Sequence, residues 1–347
     1  MPAGRKRWPT RLDPESSIAV VIPLFNHERY VAAAIDSVRQ QTRAVENIVV
    51  VDDGSSDGSI DAVRGIDDAR IALFMQTNAG AHAALNRAIH EARDSEFIAV
   101  LNSDDLYHPE RIERCVAFLQ ATPQAEVVCT NLGLIDDAGR ELDNAAPPAR
   151  WARRVWAARR ELPGWLGIAN FARTSSNIVA RSRWLHDHPF RAYRYVHDYF
   201  LALEAVFERK LAVLDERLLF YRIHGANTIR SEGAENVRRE VLQMNFDLLR
   251  ELAPKLKNSP ETRRDYAQYF RSLAGNYADF RAELFFFAIS RLVEESSPEI
   301  VLSLVRDLDA GAFPELTQPS SKVLKDANKL NKSTWVRIGR SVGFIRE

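Results

Sequence analysis

Two cysteines in 347 residues, Cys115 and Cys129, are too few for a disulfide framework, and no CxxC pair offers a zinc cluster or redox dithiol. They read as buried, reduced thiols. Long apolar runs are missing too. The longest, such as Leu284 to Ser290, falls far short of the ~20 residues that cross a bilayer. The basic start, Met1 to Arg11, has no apolar stretch behind it and does not read as a signal peptide. Excess charge of one sign is absent: Lys+Arg and Asp+Glu each number 47, so no global field draws the chain to nucleic acid. No GxGxxG follows any strand, which argues against a dehydrogenase. What is left is ordinary globular composition, 46% hydrophobic and 27% charged, expected in the cytoplasm and long enough for one large domain or two.

The first half alternates strand and helix signals. Ile18–Pro23, Asn47–Asp53, Ile71–Gln76, Phe97–Leu101 and Glu126–Thr130 are apolar, β-branched runs. Helical spacing marks Tyr30–Gln40, Gly80–Arg93 and the stretch after Pro109 that carries Ile112, Cys115, Val116 and Leu119. Continuous apolar strands between helices predict a parallel sheet covered on both faces. Further along, Ser176–Ala180 and Leu218–His224 predict strands, and Asp198–Lys210 a helix. From about Glu232 the pattern is helical. Tyr266, Tyr269, Phe270, Leu273, Tyr277, Phe280, Leu284 and Phe287 recur every three or four positions, a packing stripe.

Chemistry concentrates where strands end in acids. Val49 to Asp57 closes on Asp52 and Asp53, and Asn102-Ser-Asp-Asp105 follows the fourth strand. Ligands of open α/β sheets bind beyond the carboxyl ends of strands. Asp104 and Asp105 are hard oxygen donors suited to Mg²⁺ or Mn²⁺, which bridges substrate phosphates. Asp53 can accept from a base N–H, and Phe25, in Pro23-Leu-Phe-Asn26, can stack on a base. Each motif alone also fits an Asp-rich turn or helix cap.

Taken in order, Val-Ile-Pro-Leu-Phe-Asn26, Val-Asp-Asp-Gly-Ser-Ser-Asp57, Asn78-Ala-Gly80 to Asn86 and Leu-Asn-Ser-Asp-Asp105 resemble family two glycosyltransferases. The resemblance covers roughly residues 17 to 228. It implies a GT-A fold: α/β, with a Rossmann-like, mostly parallel sheet flanked by helices. It also implies an inverting transferase that takes a nucleotide-sugar, UDP-linked by expectation. Position by position, it assigns Asp53 to the base and Phe25 to stacking, where relatives often carry Tyr. Asp105 becomes the direct metal ligand and Asp104 lies nearer the ribose or donor sugar. Pro23, Asn26, Asn78, Gly80 and Asn86 line the donor. Many relatives carry Arg before the helix Asn; here it is Leu85, leaving His82 or Arg87 to supply the charge. Asp198, in Tyr195 to Leu201, matches the catalytic base that takes the acceptor proton. A plain helix cap is its alternative. His224 becomes a metal ligand or phosphate donor, and Arg222 or Arg230 a phosphate clamp.

A second theme is basic and aromatic. Trp151, Trp156 and Trp165 interleave with Arg150, Arg153, Arg154, Arg159 and Arg160, and the tail from Lys322 to Glu347 holds seven basic residues against two acids. Such segments suit a membrane interface or an anionic lipid-linked acceptor, equally nucleic acid, or a solvated helix with Trp turned inward. The expected organisation is a basic tail at 1–16, a catalytic domain at 17–231 and a helical region at 232–347, where a homo-oligomer is compatible with the helices. The expected reaction moves a sugar to a glycan or lipid-linked hydroxyl in bacterial surface polysaccharide synthesis, with Mn²⁺ or Mg²⁺, in the cytoplasm or at the inner face of the membrane. The rival readings are a catalytically silent nucleotide-sugar or glycan-binding module and a nucleotidylyltransferase. The second would want a Gly-rich basic loop after the first strand, which Pro23-Leu-Phe-Asn26-His-Glu lacks.

Overall fold

The computed structural model describes residues 16–157, 161–225, 227, 234–255 and 259–274, with scattered positions from 286 to 306. The chain divides into two compact units, Met1–Ala157 with Phe171–Ser231, and Ala158–Asn170 with Glu232–Glu347. The segment Ala158–Asn170, which the sequence places inside the first domain, clusters with the second.

The first unit is built on an eight-stranded sheet. In chain order its elements are β1 (Ile18–Leu24), α1 (Val31–Arg39), β2 (Asn47–Asp52), α2 (Ser59–Arg64), β3 (Ile71–Met75), α3 (Ala81–Glu91) and β4 (Phe97–Val100). Then follow β5 (Leu106–Tyr107), α4 (Arg111–Ala121), β6 (Val127–Ile135) and α5 (Pro147–Ala157). After a 3₁₀ turn at Ser175–Asn177 come β7 (Val179–Arg181), α7 (Ser182–Asp187), α8 (His197–Phe207) and β8 (Leu211–Arg222). Across the sheet the order is β3-β2-β1-β4-β7-β6-β8-β5. Strands β3, β2, β1 and β4 run parallel, as does β6 with β8. Strand β7 is antiparallel to β4 and β6, and β5 to β8. The sheet is therefore mixed. Short strands such as β5 and β7 carry too little apolar pattern to reveal their direction; their pairing decides it.

Two stretches differ instructively from their sequence signals. The strand expected at Leu218–His224 starts already at Leu211 and ends at Arg222, running through Asp215, Glu216 and Arg217. Those charges are held at the surface, Glu216 by Arg114 and Arg217 by Glu141. The strand expected at Ser176–Ala180 starts only at Val179, because Asn177 bonds the backbone of Thr130 instead of joining a ladder.

Alternation packs Ile18, Val20, Ile22 and Leu24 of β1 against Val31, Ile35 and Val38 of α1 and Ile112, Val116 and Leu119 of α4. Full burial of each such side chain is worth about 1.5–3 kcal/mol. That core sets β1, β2 and β4 in parallel register, so their carboxyl ends open on one edge.

The second unit contains α6 (Leu162–Ile168), α9 (Ala234–Lys255) and α10 (Pro260–Ala274). A Cβ at Gly167 would lie 2.4 Å from the Tyr269 carbonyl, so glycine is what lets α6 approach α10. Trp165, Tyr266, Tyr269, Phe270 and Leu273 are all buried, and the Tyr269 hydroxyl donates to Asn245 at 2.9 Å. The remaining members of the stripe, Tyr277, Phe280, Leu284 and Phe287, lie outside the described residues, as do Arg159, Arg160, Arg230 and the tail 322–347.

Candidate active site

The loops at the carboxyl edge hold one another. Asn26 adopts φ 52°, a left-handed conformation that Asn tolerates better than most residues. Its amide oxygen accepts from Ser56 N at 2.8 Å, and its own N donates to Ser55 Oγ at 2.9 Å. Asp52 accepts from Gly54 N and Ser55 N, the Asx turn expected of this stretch. Asp53 is 3% exposed and its carboxylate takes three donors: the Gln76 amide, Ala79 N and Gly80 N, each at 2.8 Å. Asp53 thus ties β2 to the loop before α3. Gly54, at φ 79°, lies under that loop; a Cβ would meet Asn78 N at 3.1 Å.

Other expected donor residues separate here. Phe25 is 46% exposed at the tip of β1, and Asn78 is exposed. Asn86 spends both ends of its amide on Phe190, accepting from its N and donating to its O, at 2.8 Å each. Arg87 donates to the Met75 carbonyl, and Leu85 is buried.

The adjacent acids of the third motif face different partners. Asp105 is fully enclosed. It accepts from Arg222 N at 2.9 Å, Ser176 Oγ at 2.6 Å and Thr174 Oγ1 at 3.3 Å. Burial, and then the charge of Asp104, push its carboxyl well above the ordinary value. Asp104 meets His224 Nε2 at 3.0 Å through Oδ2. Burial opposes its ionisation, but the His224 hydrogen bond and the nearby His27 hold its carboxyl below the usual range. His27 completes the group: among the described residues, one donor atom each from His27, Asp104 and His224 lie within 4.8 Å of one another. His27 Nδ1 pairs with Ser103 Oγ at 2.8 Å, and a hydrogen bond of that kind on one ring nitrogen fixes which way the other nitrogen points. Burial lowers its pKa and favours the neutral ring that a ligand needs. A separation of 3.0 Å also suits two neighbouring donors each about 2.1 Å from one ion.

This placement differs from the sequence assignment, which gave the direct metal contact to Asp105. The hydroxyls of Thr174 and Ser176 and the amide of Arg222 occupy Asp105, while Asp104 turns toward the histidines. His27 was not singled out in the sequence; its signal was a metal-ligating residue at the end of β1, level with the other strand-end motifs.

Arg222 also has partners other than phosphate. Its Nε donates to the Asp104 carbonyl at 2.7 Å, and Nη1 to the carbonyls of Asp136 and Asp137 at 3.1 and 3.0 Å. It is 3% exposed. Asp137 in turn accepts from Arg29 at 2.7 Å and from the Tyr30 hydroxyl, so the turn after β6 is latched over the start of α1.

Asp198 is 5% exposed, at the second position of α8, whose N-cap is Val196. Burial, then the charges of Asp105 and Asp104, push the phenol of Tyr221 above its ordinary value, and the charge of Asp198 adds to the shift. Helix α5 exposes Arg150, Trp151, Arg153 and Arg154, while Trp156 donates to Asp215 at 2.8 Å.

The family model for glycosyl transferase family 2 matches residues 19–188. An uncharacterized glycosyltransferase of Nostoc sp. is 30% identical over 230 residues, covering 64% of this chain and 70% of that protein. For a second relative, an uncharacterized glycosyltransferase of Rickettsia typhi, identity is 27% and the chain spans 65% of its length. The succinoglycan biosynthesis protein ExoO of Rhizobium meliloti is 33% identical over 135 residues, 39% of this chain and 38% of that one. Among solved structures, residues 1–349 of S. aureus TarS with UDP-GlcNAc superpose with a TM-score of 0.56 at 15% identity, covering 87% of this chain and 90% of that chain.

Proposed function

Because the chain belongs to glycosyl transferase family 2 and shares the GT-A type of α/β fold, we propose that its first unit inverts a sugar as it transfers it from a nucleotide-diphosphate donor to an acceptor hydroxyl. The observation that carries this reading is the group formed by His27, Asp104 and His224 at the carboxyl ends of β1, β4 and β8. Two imidazoles and one carboxylate favour a transition-metal ion such as Mn²⁺ over Mg²⁺, which prefers all-oxygen shells. A divalent ion held there would neutralise charge developing on a diphosphate leaving group.

The chain's own residues do the rest. Phe25 offers an exposed face to a nucleobase, and Asp53 holds the Ala79 and Gly80 amides of the loop before α3. Asp105 and Arg222 keep Asp104 pointed at the histidines. Asp198 takes the proton from the acceptor hydroxyl as that oxygen attacks C1 from the face opposite the leaving group. TarS was crystallised with UDP and with UDP-GlcNAc, which supports a uridine donor, and ExoO acts in succinoglycan biosynthesis, which supports a polysaccharide or lipid-linked acceptor. No helix among the described residues is long and apolar enough to cross a membrane; contact with one is proposed as peripheral, through basic surface such as α5.

Calorimetry of UDP binding with and without Mn²⁺ tests the core of this reading. Metal-dependent binding is expected, with loss in Asp104→Ala. Absence of UDP binding under both conditions would sink it.

A further inference from the structure

Three large apolar side chains stand in solvent among the described residues: Phe25, Met75 and Trp151. The first two lie at the ends of β1 and β3, on the donor side. Trp151, on α5 and 48% exposed, belongs to neither. The Arg173 guanidinium lies 4.6 Å from the indole centroid and 5.8 Å from that of Tyr221. An aromatic–cation–aromatic row therefore leads from the surface to Tyr221, whose chain neighbour Arg222 bonds Asp105 through its N and Asp104 through its Nε.

The same turn that organises the acids fixes Arg173. It sits at φ 64°, a left-handed conformation unfavourable to a bulky residue. The next residue, Thr174, bonds both Asp105 and the Asn102 amide. A conformation of this kind persists where the surroundings over-determine it, commonly at ligand sites. The guanidinium covers one face of the indole, so the platform is rigid while much of the ring stays in contact with water. A rigid, half-exposed indole beside an acid-lined site suits the apolar face of a pyranose, whose C–H groups meet the negative face of the ring.

We propose that Trp151 is the stacking platform for a sugar ring of the acceptor, with Arg173 as the residue that positions it. This rests on the sugar-transfer reading for the name acceptor, and the test separates the two. Saturation-transfer NMR on the full chain, with UDP and Mn²⁺ present, would use the methyl glycosides of glucose, galactose, mannose and N-acetylglucosamine as probes. The wild type is expected to bind at least one. Trp151→Ala should weaken that binding about tenfold, Trp151→Phe much less, with UDP affinity unchanged in both. Arg173→Lys keeps the charge but loses the planar stack, and should weaken glycoside binding with UDP affinity unchanged. No glycoside binding by the wild type, or equal binding by Trp151→Ala, overturns the proposal. So does a Trp151→Ala protein that keeps glycoside binding but no longer sediments with phosphatidylglycerol vesicles, which would make Trp151 a membrane contact. Trp151-dependent glycoside binding in a wild type that binds no UDP would uphold the platform and remove the transferase reading.

Discussion

Replacing Arg222 separates two jobs that an arginine at this place could perform. The sequence suggests a clamp on the donor phosphates; the structure directs Nε to the Asp104 carbonyl and Nη1 to the carbonyls of Asp136 and Asp137. In Arg222→Met all three bonds are lost. The bond to Asp104 is enclosed, and a charge-assisted bond of that kind is worth about 1.5–3 kcal/mol. The other two acceptors lie nearer solvent and rehydrate, so they add little. The guanidinium also lies 5.1 Å from the Tyr30 ring, a contact worth about 0.5–1 kcal/mol. A loss of about 3 kcal/mol is therefore expected in urea unfolding followed by fluorescence. Arg222→Lys, which can reach one carbonyl at most, should lose about 2 kcal/mol. Because the Asp104 carbonyl loses its anchor, Mn²⁺-dependent UDP binding should weaken in step with stability. A lysine variant as stable as wild type but more than tenfold weaker for UDP would show that Arg222 contacts phosphate, and the positioning argument would be wrong.

Four further outcomes are expected. His27→Asn should weaken Mn²⁺ binding, read by calorimetry, more than tenfold while leaving the unfolding midpoint nearly unchanged, because a ligand is lost and little core is disturbed. Asp198→Asn should bind UDP normally and lose transfer by about 10²–10⁴; transfer at wild-type rate would place the base elsewhere. Asn177→Ala should cost about 3 kcal/mol in urea unfolding, since one buried Asn177 amide bonds both the N and the O of Thr130, while the Ala172 carbonyl it also meets keeps its bond from Thr174 N. Burial pushes the Cys115 thiol up to about 11 and that of Cys129 up to about 12. Both should resist a disulfide reagent at pH 8 until the chain is unfolded. Because these values are raised, the stability they contribute is complete below pH 9 and fades as pH climbs through 11 and 12.

The strand runs, their helices and the acids at their ends were legible because each depends on local pattern: apolar residues in short β-branched runs, closed by Asp, Gly and Ser. The packing of Tyr266, Tyr269, Phe270 and Leu273 was legible for the same reason. Strand direction was not. Strand β7 has three residues, and its antiparallel setting follows from neighbours that lie more than fifty positions away.

By itself, the sequence determined that a sheet would carry Phe25, Asp53, Asp104 and Asp105 to one edge, since parallel strands of similar length end together. It did not determine which acid of a pair faces which partner. Asp104 and Asp105 are neighbours in the chain with the same side chain, and no local rule tells them apart. Only the tertiary structure brings His224 to one and the Arg222 amide to the other, across separations of 120 and 117 residues. It also adds His27 to the first. Roles that depend on what lies opposite, rather than on what comes next, are settled by packing alone.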